Sequence, residues 1–386
     1  MTESKSTAAD ERTLELASAV LRDLSTSAHS DRITELSEAL ENDLSPPVVA
    51  HAANILAHHR FQTRDYDGAL SACCRWIDAA PEEPAAVTSV LSILVRMNRF
   101  EDVVAIASDR LSDDPENFQL HSSLANALGH LGRLDEAREH GTKCLELKDA
   151  AATAEAKDLT DVQVPPFDPK ARARNVIAFS LHGSERHYGE GAVRNAVASH
   201  FLYPEWTCRF YVDDSVPQEL VRELVKQNAE VKRVDGLTAA RFGTFWRFLI
   251  ADDAEVDRYL VRDCDACLNL RERAAVEDWI ESERHFHVMR DAITHTELIL
   301  AGMWGGVRGA LPSMGEAMID FSLSAPLSRT ADQQFLRERV WPTVRQSVLV
   351  HDSQFAFGTS VDFPERSPSW QHVGQAVSAR AAPTSH

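Results

Sequence analysis

The chain has few basic residues, few cysteines and no long apolar run, and each shortage excludes a class of protein. Its 40 lysines and arginines stand against 59 aspartates and glutamates, a net charge of −19 that disfavours nucleic acid as a partner. Six cysteines in 386 residues do not form the spacing of a disulfide framework. No stretch approaches the ~18 apolar residues of a membrane helix, and residues 1–10 lack the basic, then apolar start of a secretory signal. We expect a cytoplasmic protein without a membrane span.

Length and apolar content are sufficient for more than one domain. With 386 residues, of which 44% are hydrophobic, the chain can form two or three separate cores. The residue pattern changes character twice along the chain. These changes predict a helical domain over 1–150, a linker over 151–174 that contains a proline cluster, and an α/β domain over 175–386.

The first 150 residues carry an internal repeat. Ala69, Val103 and Ala137 recur at a spacing of 34 within similar segments, and Pro81 and Pro115 keep the same period. Small residues let two antiparallel helices approach closely, and a proline ends the second helix because it cannot donate an i to i−4 hydrogen bond. The pattern therefore predicts an all-α array of helix-turn-helix units.

This array resembles the tetratricopeptide repeat, with units near 50–83, 84–117 and 118–149 and a degenerate helical pair before them. Two features depart from that family: the first helix of each unit lacks its early large aromatic residue, and Asp149 stands where a third proline would fall. The resemblance implies a helical solenoid whose concave surface holds a peptide or a partner domain. A structural role, in which the repeats extend a core or form a homo-oligomer, is an alternative of equal weight.

Beyond the linker, apolar runs alternate with helical patterns. Runs typical of buried strands cover 175–181, 207–212, 230–234, 258–262 and 286–290, and helical patterns cover 191–201, 217–228, 241–251 and 271–282. Alternation of this kind predicts an open, mostly parallel sheet with helices on both faces.

Two aspartates directly follow the fourth predicted strand. Ligands of open α/β sheets bind beyond the carboxyl ends of the strands. Asp263 and Asp265, at i and i+2 of an extended segment, point to the same side, which suits one Mg²⁺ or Mn²⁺ that also bridges a diphosphate. The position of this pair between a strand and the start of a helix makes it more specific than the tripeptide alone. A rival pair, Asp213 and Asp214, is interpreted as loop.

Residues from about 175 to 375 resemble a GT-A glycosyltransferase, a nucleotide-sugar-dependent enzyme with a Rossmann-like, mostly parallel sheet and a metal-binding DxD motif. The similarity to a bacterial GT-A group lies in the segments 203–206 (YPEW), 210–214 (FYVDD), 245–248 (FWRF), 262–265 (RDCD), 287–291 (HVMRD), 302–305 (GMWG) and 350–353 (VHDS). Cys264 departs from the alanine that most members carry between the two acids. The resemblance implies that Asp263 and Asp265 bind the metal and that His351, by its order in the chain, is a third ligand.

A sugar diphosphate also needs groups that bind its phosphates. Ser180 and Gly183 lie where the first strand meets its helix, so that backbone N–H groups there can approach a nucleotide. Arg194, Arg247 and Arg262 can each present a guanidinium fork to a phosphate. We expect one of these three arginines to form a salt bridge at the edge of the core instead.

The remaining candidates concern the sugar and the acceptor. Trp304, within the glycine-rich segment 302–306, is predicted to form a wall of the sugar subsite. Asp332 resembles the aspartate of an Asp-Gln pair that some GT-A enzymes place beside the acceptor, and it is the candidate general base of an inverting reaction. Asp291 is the second candidate base.

Together these features predict a metal-dependent transfer of a sugar from a nucleoside diphosphate sugar to an acceptor, with Mn²⁺ or Mg²⁺ as cofactor and with a protein or peptide acceptor held by the repeats. Two alternatives stay open. One is a non-catalytic scaffold whose second domain is a degenerate GT-A fold. The other is a nucleotidyltransferase, although segment 182–186 has one glycine and an acid where that class needs a glycine-rich, basic loop.

Overall fold

A computed structural model of the chain describes residues 8–22, 28–234, 243–324, 330–364 and 372–376. The chain divides into two compact units, Met1–His140 and Gly141–His386. Arg241, the predicted start of an aromatic-rich helix, lies outside the described residues. Over the described ranges, none of the helices combines the length and the apolar character needed to cross a membrane.

The first unit is built of consecutive helix pairs. The helices are α1 Ala8–Arg22, α2 Ala28–Ala39, α3 Pro46–Gln62, α4 Tyr66–Ala79, α5 Pro84–Arg96, α6 Phe100–Asp113, α7 Phe118–His130 and α8 Leu134–Ala151. Helices α4, α6 and α8 begin 34 residues apart, as the repeat predicts. The recurring positions Ala69, Val103 and Ala137 are completely buried, as expected of positions at which paired helices pack.

The turn inside each pair repeats the same backbone conformation. Arg64, Asn98 and Gly132, again 34 residues apart, have φ values of 65°, 57° and 76°. A helix commonly ends on such a left-handed residue because it satisfies the last carbonyl groups. Glycine and asparagine adopt this conformation readily, so Arg64 is the unfavourable member of the series.

Helix α8 crosses the boundary between the units. Asp149 stands where the two earlier repeats have a proline, and the helix continues to Ala151. From Gly141 onwards its residues belong to the second unit, where Leu145 is completely buried in the core. Lys148 Nζ donates there to the carbonyl oxygen of Thr296 at 2.8 Å. The first compact unit therefore ends ten residues before the predicted boundary at residue 150, which is more than half of the length of α8.

The segment predicted as a linker is packed on the second unit. Ala152 and Leu159 are buried and belong to its hydrophobic core. The carbonyl oxygen of Pro165 accepts a hydrogen bond from Arg258 Nη2 at 3.0 Å. Residues 152–171 thus form part of the α/β unit and lie over its surface.

Within the described residues, the second unit contains a seven-stranded sheet. Its strands are β1 Asn175–Leu181, β2 Thr207–Val212, β3 Glu230–Arg233, β4 Arg258–Arg262, β5 Phe286–Arg290, β6 Met303–Val307 and β7 Val348–Asp352. Its helices are α9 Arg186–Leu202, α10 Gln218–Lys226, α11 Leu270–Glu281, α12 Met314–Ser324, α13 Ala331–Phe335 and α14 Trp341–Val344, with 3₁₀ segments at Arg172–Arg174 and Gly243–Asp252 and a π-helical turn at Leu336–Val340. The five predicted strands are confirmed, each to within one residue.

The order of the strands creates a switch point. The sheet runs β3-β2-β1-β4-β6-β5-β7, and only β6 among these strands runs against the others. From β1 the chain builds outward to β2 and β3, and it then returns to place β4 on the opposite side of β1. A crevice opens at such a reversal, beyond the carboxyl ends of the two strands, and it is where ligands of open α/β sheets bind.

The glycine-rich segment 302–306 is the antiparallel strand β6. A Cβ on Gly305 would lie 2.6 Å from the carbonyl oxygen of Tyr259, and one on Gly306 would lie 2.5 Å from the Tyr259 hydroxyl. The glycines therefore let β6 pack tightly against β4. Trp304 is completely buried between the rings of Phe248 and Tyr259, so the prediction that it forms a wall of a sugar subsite is corrected: the indole is part of the core.

Candidate functional site

The aspartate pair lies beyond the carboxyl end of β4, at the switch point. The Asp263 side chain is 42% exposed, and Asp265 is half-buried. Burial, and then the neighbouring charge of Asp263, raises the pKa of Asp265 above its ordinary value. A carboxylate whose ionisation is opposed by burial and by a neighbouring carboxylate is stabilised in its charged form by a bound cation.

Helix α9 holds the loop that carries this pair. Asn195 is buried, and its Nδ2 donates to the carbonyl oxygens of Cys264 at 3.3 Å and Ala266 at 2.7 Å. Its Oδ1 accepts from the backbone N–H of Leu268 at 3.0 Å. The backbone on both sides of Asp265 is therefore fixed by one side chain, which the sequence-based prediction missed.

A second residue of α9 lets the helix approach the loop. A Cβ on Gly191 would lie 2.1 Å from the carbonyl oxygen of Cys264, so only glycine fits there. Glycine and asparagine are both poor helix formers, and their presence at 191 and 195 within one predicted helix was a signal that could have indicated contact with another backbone.

Arg247 contacts three other predicted residues, Asp263, Asp332 and Ser180. Its guanidinium is 4% exposed and forms an ion pair through Nη1 with Asp263. Nη2 donates to Asp332 Oδ2 at 3.2 Å, and the backbone N–H donates to Ser180 Oγ at 2.9 Å. Burial opposes its charge, but the carboxylates of Asp263 and Asp332 outweigh that effect and raise the pKa of Arg247.

Asp332, on the short helix α13, is the predicted general base that this cluster includes. Its side chain is 10% exposed. Burial raises the pKa of Asp332 despite the opposing charge of Arg247, and Asp263 raises it further. A carboxylate with a raised pKa accepts a proton more readily than an ordinary aspartate.

Two of the predicted phosphate-binding arginines, Arg262 and Arg194, are not part of the cluster around Arg247. Arg262 is buried; its Nε donates to Glu272 at 2.6 Å and its Nη1 donates to the carbonyl oxygen of Trp304 at 2.8 Å. It is the salt bridge expected of one of the three arginines, and its assignment to phosphate is corrected. Arg194 is exposed on α9, and its Nη1 contacts Cys267 Sγ at 3.6 Å, beside the loop.

Gly183 follows β1 with a φ of 74°. Its backbone N–H donates to Ser215 Oγ at 2.6 Å, and Ser215 in turn is bound to Asp213. The amide predicted to approach a phosphate therefore has a protein acceptor. Asp213 closes this turn, in agreement with its interpretation as loop.

Asp291, the second candidate base, is surrounded by donors. Arg271 donates to its two oxygens at 2.8 and 2.9 Å, Ser353 Oγ donates at 2.7 Å and the backbone N–H of Val373 donates at 3.0 Å. Burial opposes ionisation, but the hydrogen bonds from Arg271 and Ser353 outweigh it and lower the pKa of Asp291. A carboxylate held ionised in this way is a poor base, so its assignment to proton transfer is corrected.

His351 lies apart from the aspartate pair. It is completely buried on β7, with Nδ1 at 2.9 Å from His287 Nε2 and Nε2 at 3.4 Å from Asp278 Oδ2. In the strand order, β7 is three strand spacings from β4, or about 14 Å. The assignment of His351 as a metal ligand is therefore corrected. Across the described ranges, no group of three or more His, Cys, Asp or Glu residues is placed to bind a metal.

The carboxylates that remain fit a divalent cation that shares its shell with a substrate. Mg²⁺ is commonly bound through one or two carboxylates together with water and substrate phosphates, so a third protein ligand is not required. In Asp263, Oδ1 contacts Arg247, and a Cβ on Gly302 would lie 2.0 Å from Oδ2. Glycine at 302 thus leaves room for the second oxygen of this carboxylate.

No family model matches the chain, and no curated protein matches it. Among solved structures, the chain is similar to MamA from Desulfovibrio magneticus RS-1, with 16% identity and a TM-score of 0.30 over 36% of this chain and 76% of that one. It is similar to the first TPR domain of human RPAP3, with 22% identity and a TM-score of 0.24 over 27% of this chain and 78% of that one.

A third similar structure is an O-GlcNAc transferase from Thermobaculum terrenum, with 17% identity and a TM-score of 0.43. The match covers 68% of this chain and 47% of that chain, so this chain spans about half the length of the transferase. The TM-scores of all three structures are too low to assign a fold or a function to this chain.

Proposed function

We propose that the chain is a metal-dependent glycosyltransferase of the GT-A type, which transfers a sugar from a nucleoside diphosphate sugar to an acceptor. The observation that carries the proposal is the convergence of Asp263, Asp265, Arg247 and Asp332 at the switch point between β1 and β4. Carboxylates for a cation, a fixed positive charge and a buried carboxylate suited to proton transfer are the groups that such a reaction needs.

In this proposal Asp263 and Asp265 hold Mn²⁺ or Mg²⁺, which when bound would neutralise the charge that develops on the departing diphosphate. Arg247 orients Asp263 and keeps a positive charge beside it. Asp332 accepts the proton of the acceptor hydroxyl. The apolar residues around Phe245 and Trp246, both buried, exclude water from the inner side of the site.

In the same proposal the repeats bind the acceptor. A helical solenoid can hold an extended chain along several repeats, so we propose a protein or peptide acceptor. The net charge of −19 favours a basic or neutral segment over an acidic one.

The test uses the full-length chain with UDP-, GDP- and dTDP-sugars and Mn²⁺, and it measures donor binding and slow hydrolysis. Asp263→Asn and Asp265→Asn should each lower turnover more than ~100-fold, because they remove carboxylates that hold charge where the diphosphate leaves. Asp214→Asn is the matched control: it is an aspartate at the end of β2, in an ion pair with Arg233, outside the cluster. EDTA should abolish hydrolysis, and Mn²⁺ should restore it.

Two outcomes would replace the proposal. If no donor binds more tightly than ~1 mM in the presence of Mn²⁺, the scaffold interpretation is favoured, because diphosphate recognition normally reaches that range. If hydrolysis survives in EDTA, the enzyme does not need a metal, and the roles of Asp263 and Asp265 must be reassigned.

A further inference from the structure

A segment near the carboxyl terminus lies against the loop that carries Asp265. Val373 is 1% exposed and belongs to a small core with Met289, Met303 and Phe363. Three residues later, Ala376 forms an antiparallel bridge with Ala266, the residue that follows Asp265. We call residues 372–376 the carboxyl-terminal strap.

Asp291 fastens this strap. Its Oδ2 accepts the hydrogen bond from the backbone N–H of Val373 at 3.0 Å. The carboxylate is itself held by Arg271 and Ser353, so the strap is attached to a point that cannot rotate freely. The donors around Asp291 thus hold its carboxylate in place as an attachment point for the strap, a structural role unrelated to proton transfer.

The strap also closes one side of the site. A cavity of about 10 Å³ beside Asp263 is lined by Gly302, Met303, Val373 and Gly374. That volume holds about one water molecule, so a phosphate does not fit in this cavity while the strap is in place. The open side of the Asp263 carboxylate, which is 42% exposed, is left for a ligand.

We propose that Asp291 is a positioning residue that acts through the strap: it fixes the loop 263–268 in the arrangement that binds the cation and the diphosphate. Asn195 holds this loop from the α9 side, and the bridge between Ala376 and Ala266 holds it from the other. Carboxylates fixed before binding lose less conformational freedom when a ligand arrives, so affinity rises. The inference rests on the proposed function, because the ligand is the one named there.

The test displaces the strap with Gly374→Ala in the full chain. Gly374 has a φ of 78°, and a Cβ would lie 2.3 Å from Met303 Sδ. Gly309→Ala is the matched control, because its φ is 73° and a Cβ meets nothing within 4 Å. Gly309 follows β6, the strand that runs against the others. It therefore lies at the end of the sheet opposite to the carboxyl ends of the other strands, away from the site. Both variants have the same backbone cost, and only Gly374→Ala crowds the contact between the strap and Met303.

Two measurements follow. Hydrogen exchange of the backbone amides of residues 264–268 should become faster in Gly374→Ala and stay as in the unmodified chain in Gly309→Ala. Calorimetric titration with UDP, GDP and dTDP in the presence of Mn²⁺ should show affinity about 10-fold weaker in Gly374→Ala, the loss typical when a group that orients metal ligands is removed. Val373→Ala, which loosens the strap without a backbone cost, replaces Gly374→Ala if that variant does not fold.

Unchanged exchange at 264–268 would overturn the inference, as would an affinity equal to that of Gly309→Ala. Tighter diphosphate binding in Gly374→Ala would also overturn it, because the strap would then be a cover over the site. If the unmodified chain binds none of the three diphosphates while exchange still rises in Gly374→Ala, the proposed function fails and the positioning of the loop by the strap is upheld.

Discussion

Arg247 and Asp263 form an ion pair in which one partner is buried and the other is open to solvent. The guanidinium is 4% exposed, and the carboxylate is 42% exposed. On its inner side the same guanidinium contacts Asp332 at 3.2 Å. Because a buried charge is tolerated only when its partners stay in place, Arg247 couples the stability of the α/β unit to the geometry of the site.

The first prediction concerns that coupling. Arg247→Met removes the cation and leaves Asp332 buried without it, so the free energy of unfolding in urea should fall by about 3–5 kcal/mol. Arg308→Met is the control, because Arg308 is 45% exposed in its 3.4 Å ion pair with Asp257 and should cost at most about 1 kcal/mol. Equal losses in the two variants would mean that the Arg247 cluster is not a buried ion network.

The second prediction is that two aspartates affect stability in opposite directions. The pKa of Asp265 is raised in the folded chain, so this chain binds the proton more tightly than the unfolded one does. Stability therefore falls as pH rises from the unfolded pKa through the folded pKa. Asp265→Asn cannot ionise, and it should be more stable than the unmodified chain at pH 7 while it loses turnover.

For Asp291 the pH dependence of stability has the opposite sign to that of Asp265. Its pKa is lowered in the folded chain, so it contributes stability that is present above the unfolded pKa and is lost as pH falls through the folded pKa. Asp291→Asn should lose about 1–3 kcal/mol at pH 7, the cost of leaving buried donors without their acceptor, and less under acid conditions. Urea unfolding of both variants at pH 7 and in acid checks both signs. Destabilisation by Asp265→Asn at pH 7 would contradict a raised pKa of Asp265 in the folded chain.

Local patterns were sufficient to predict the strands β1–β5 and the repeats. Buried parallel strands appear as apolar runs, and the 34-residue period is visible in the spacing of small residues. Asp263 and Asp265 were predicted because their position depends on one strand and on its carboxyl end.

Residues whose role depends on the order of strands could not be predicted in the same way. The insertion of β6 between β4 and β5 moves His351 away from β4 and buries Trp304, and no local pattern encodes that order. Arg262 has the residue type of a phosphate ligand, but its side chain points into the core toward Glu272, a partner on α11. Asp291 has the residue type of a base, yet the donors around it come from residues that are distant in sequence.

The third prediction tests the corrected metal set. His351→Gln should leave the Mn²⁺ concentration for half-maximal activity unchanged, because the imidazole contacts His287 and Asp278 and lies on β7. Asp265→Asn is the comparison variant, and it should abolish the response of activity to Mn²⁺. A rise of about 10-fold or more in the Mn²⁺ requirement of a folded His351→Gln variant would restore the histidine as a ligand or as a residue that orients one.

The fourth prediction concerns where the α/β unit begins. A fragment of residues 141–386 keeps the second half of α8, whereas 151–386 loses Leu145 from the core and the Lys148 hydrogen bond to Thr296. Loss of a buried leucine side chain alone typically costs about 2–5 kcal/mol, so the shorter fragment should unfold at lower urea concentration or fail to fold. Leu145→Ala in the full chain is the control that isolates this contribution.

The longer fragment then separates donor binding from acceptor binding. Every group of the proposed site lies in the second unit. Residues 141–386 should therefore bind the nucleotide sugar, and the rate of its slow hydrolysis should equal that of the full chain. Transfer to a protein or peptide acceptor should be lost with the repeats, since the solenoid proposed to hold the extended chain is absent. If 141–386 glycosylates the acceptor as fast as the full chain does, the repeats serve a structural or oligomeric role. If 151–386 proves as stable as 141–386, the end of α8 does not belong to the core of the second unit.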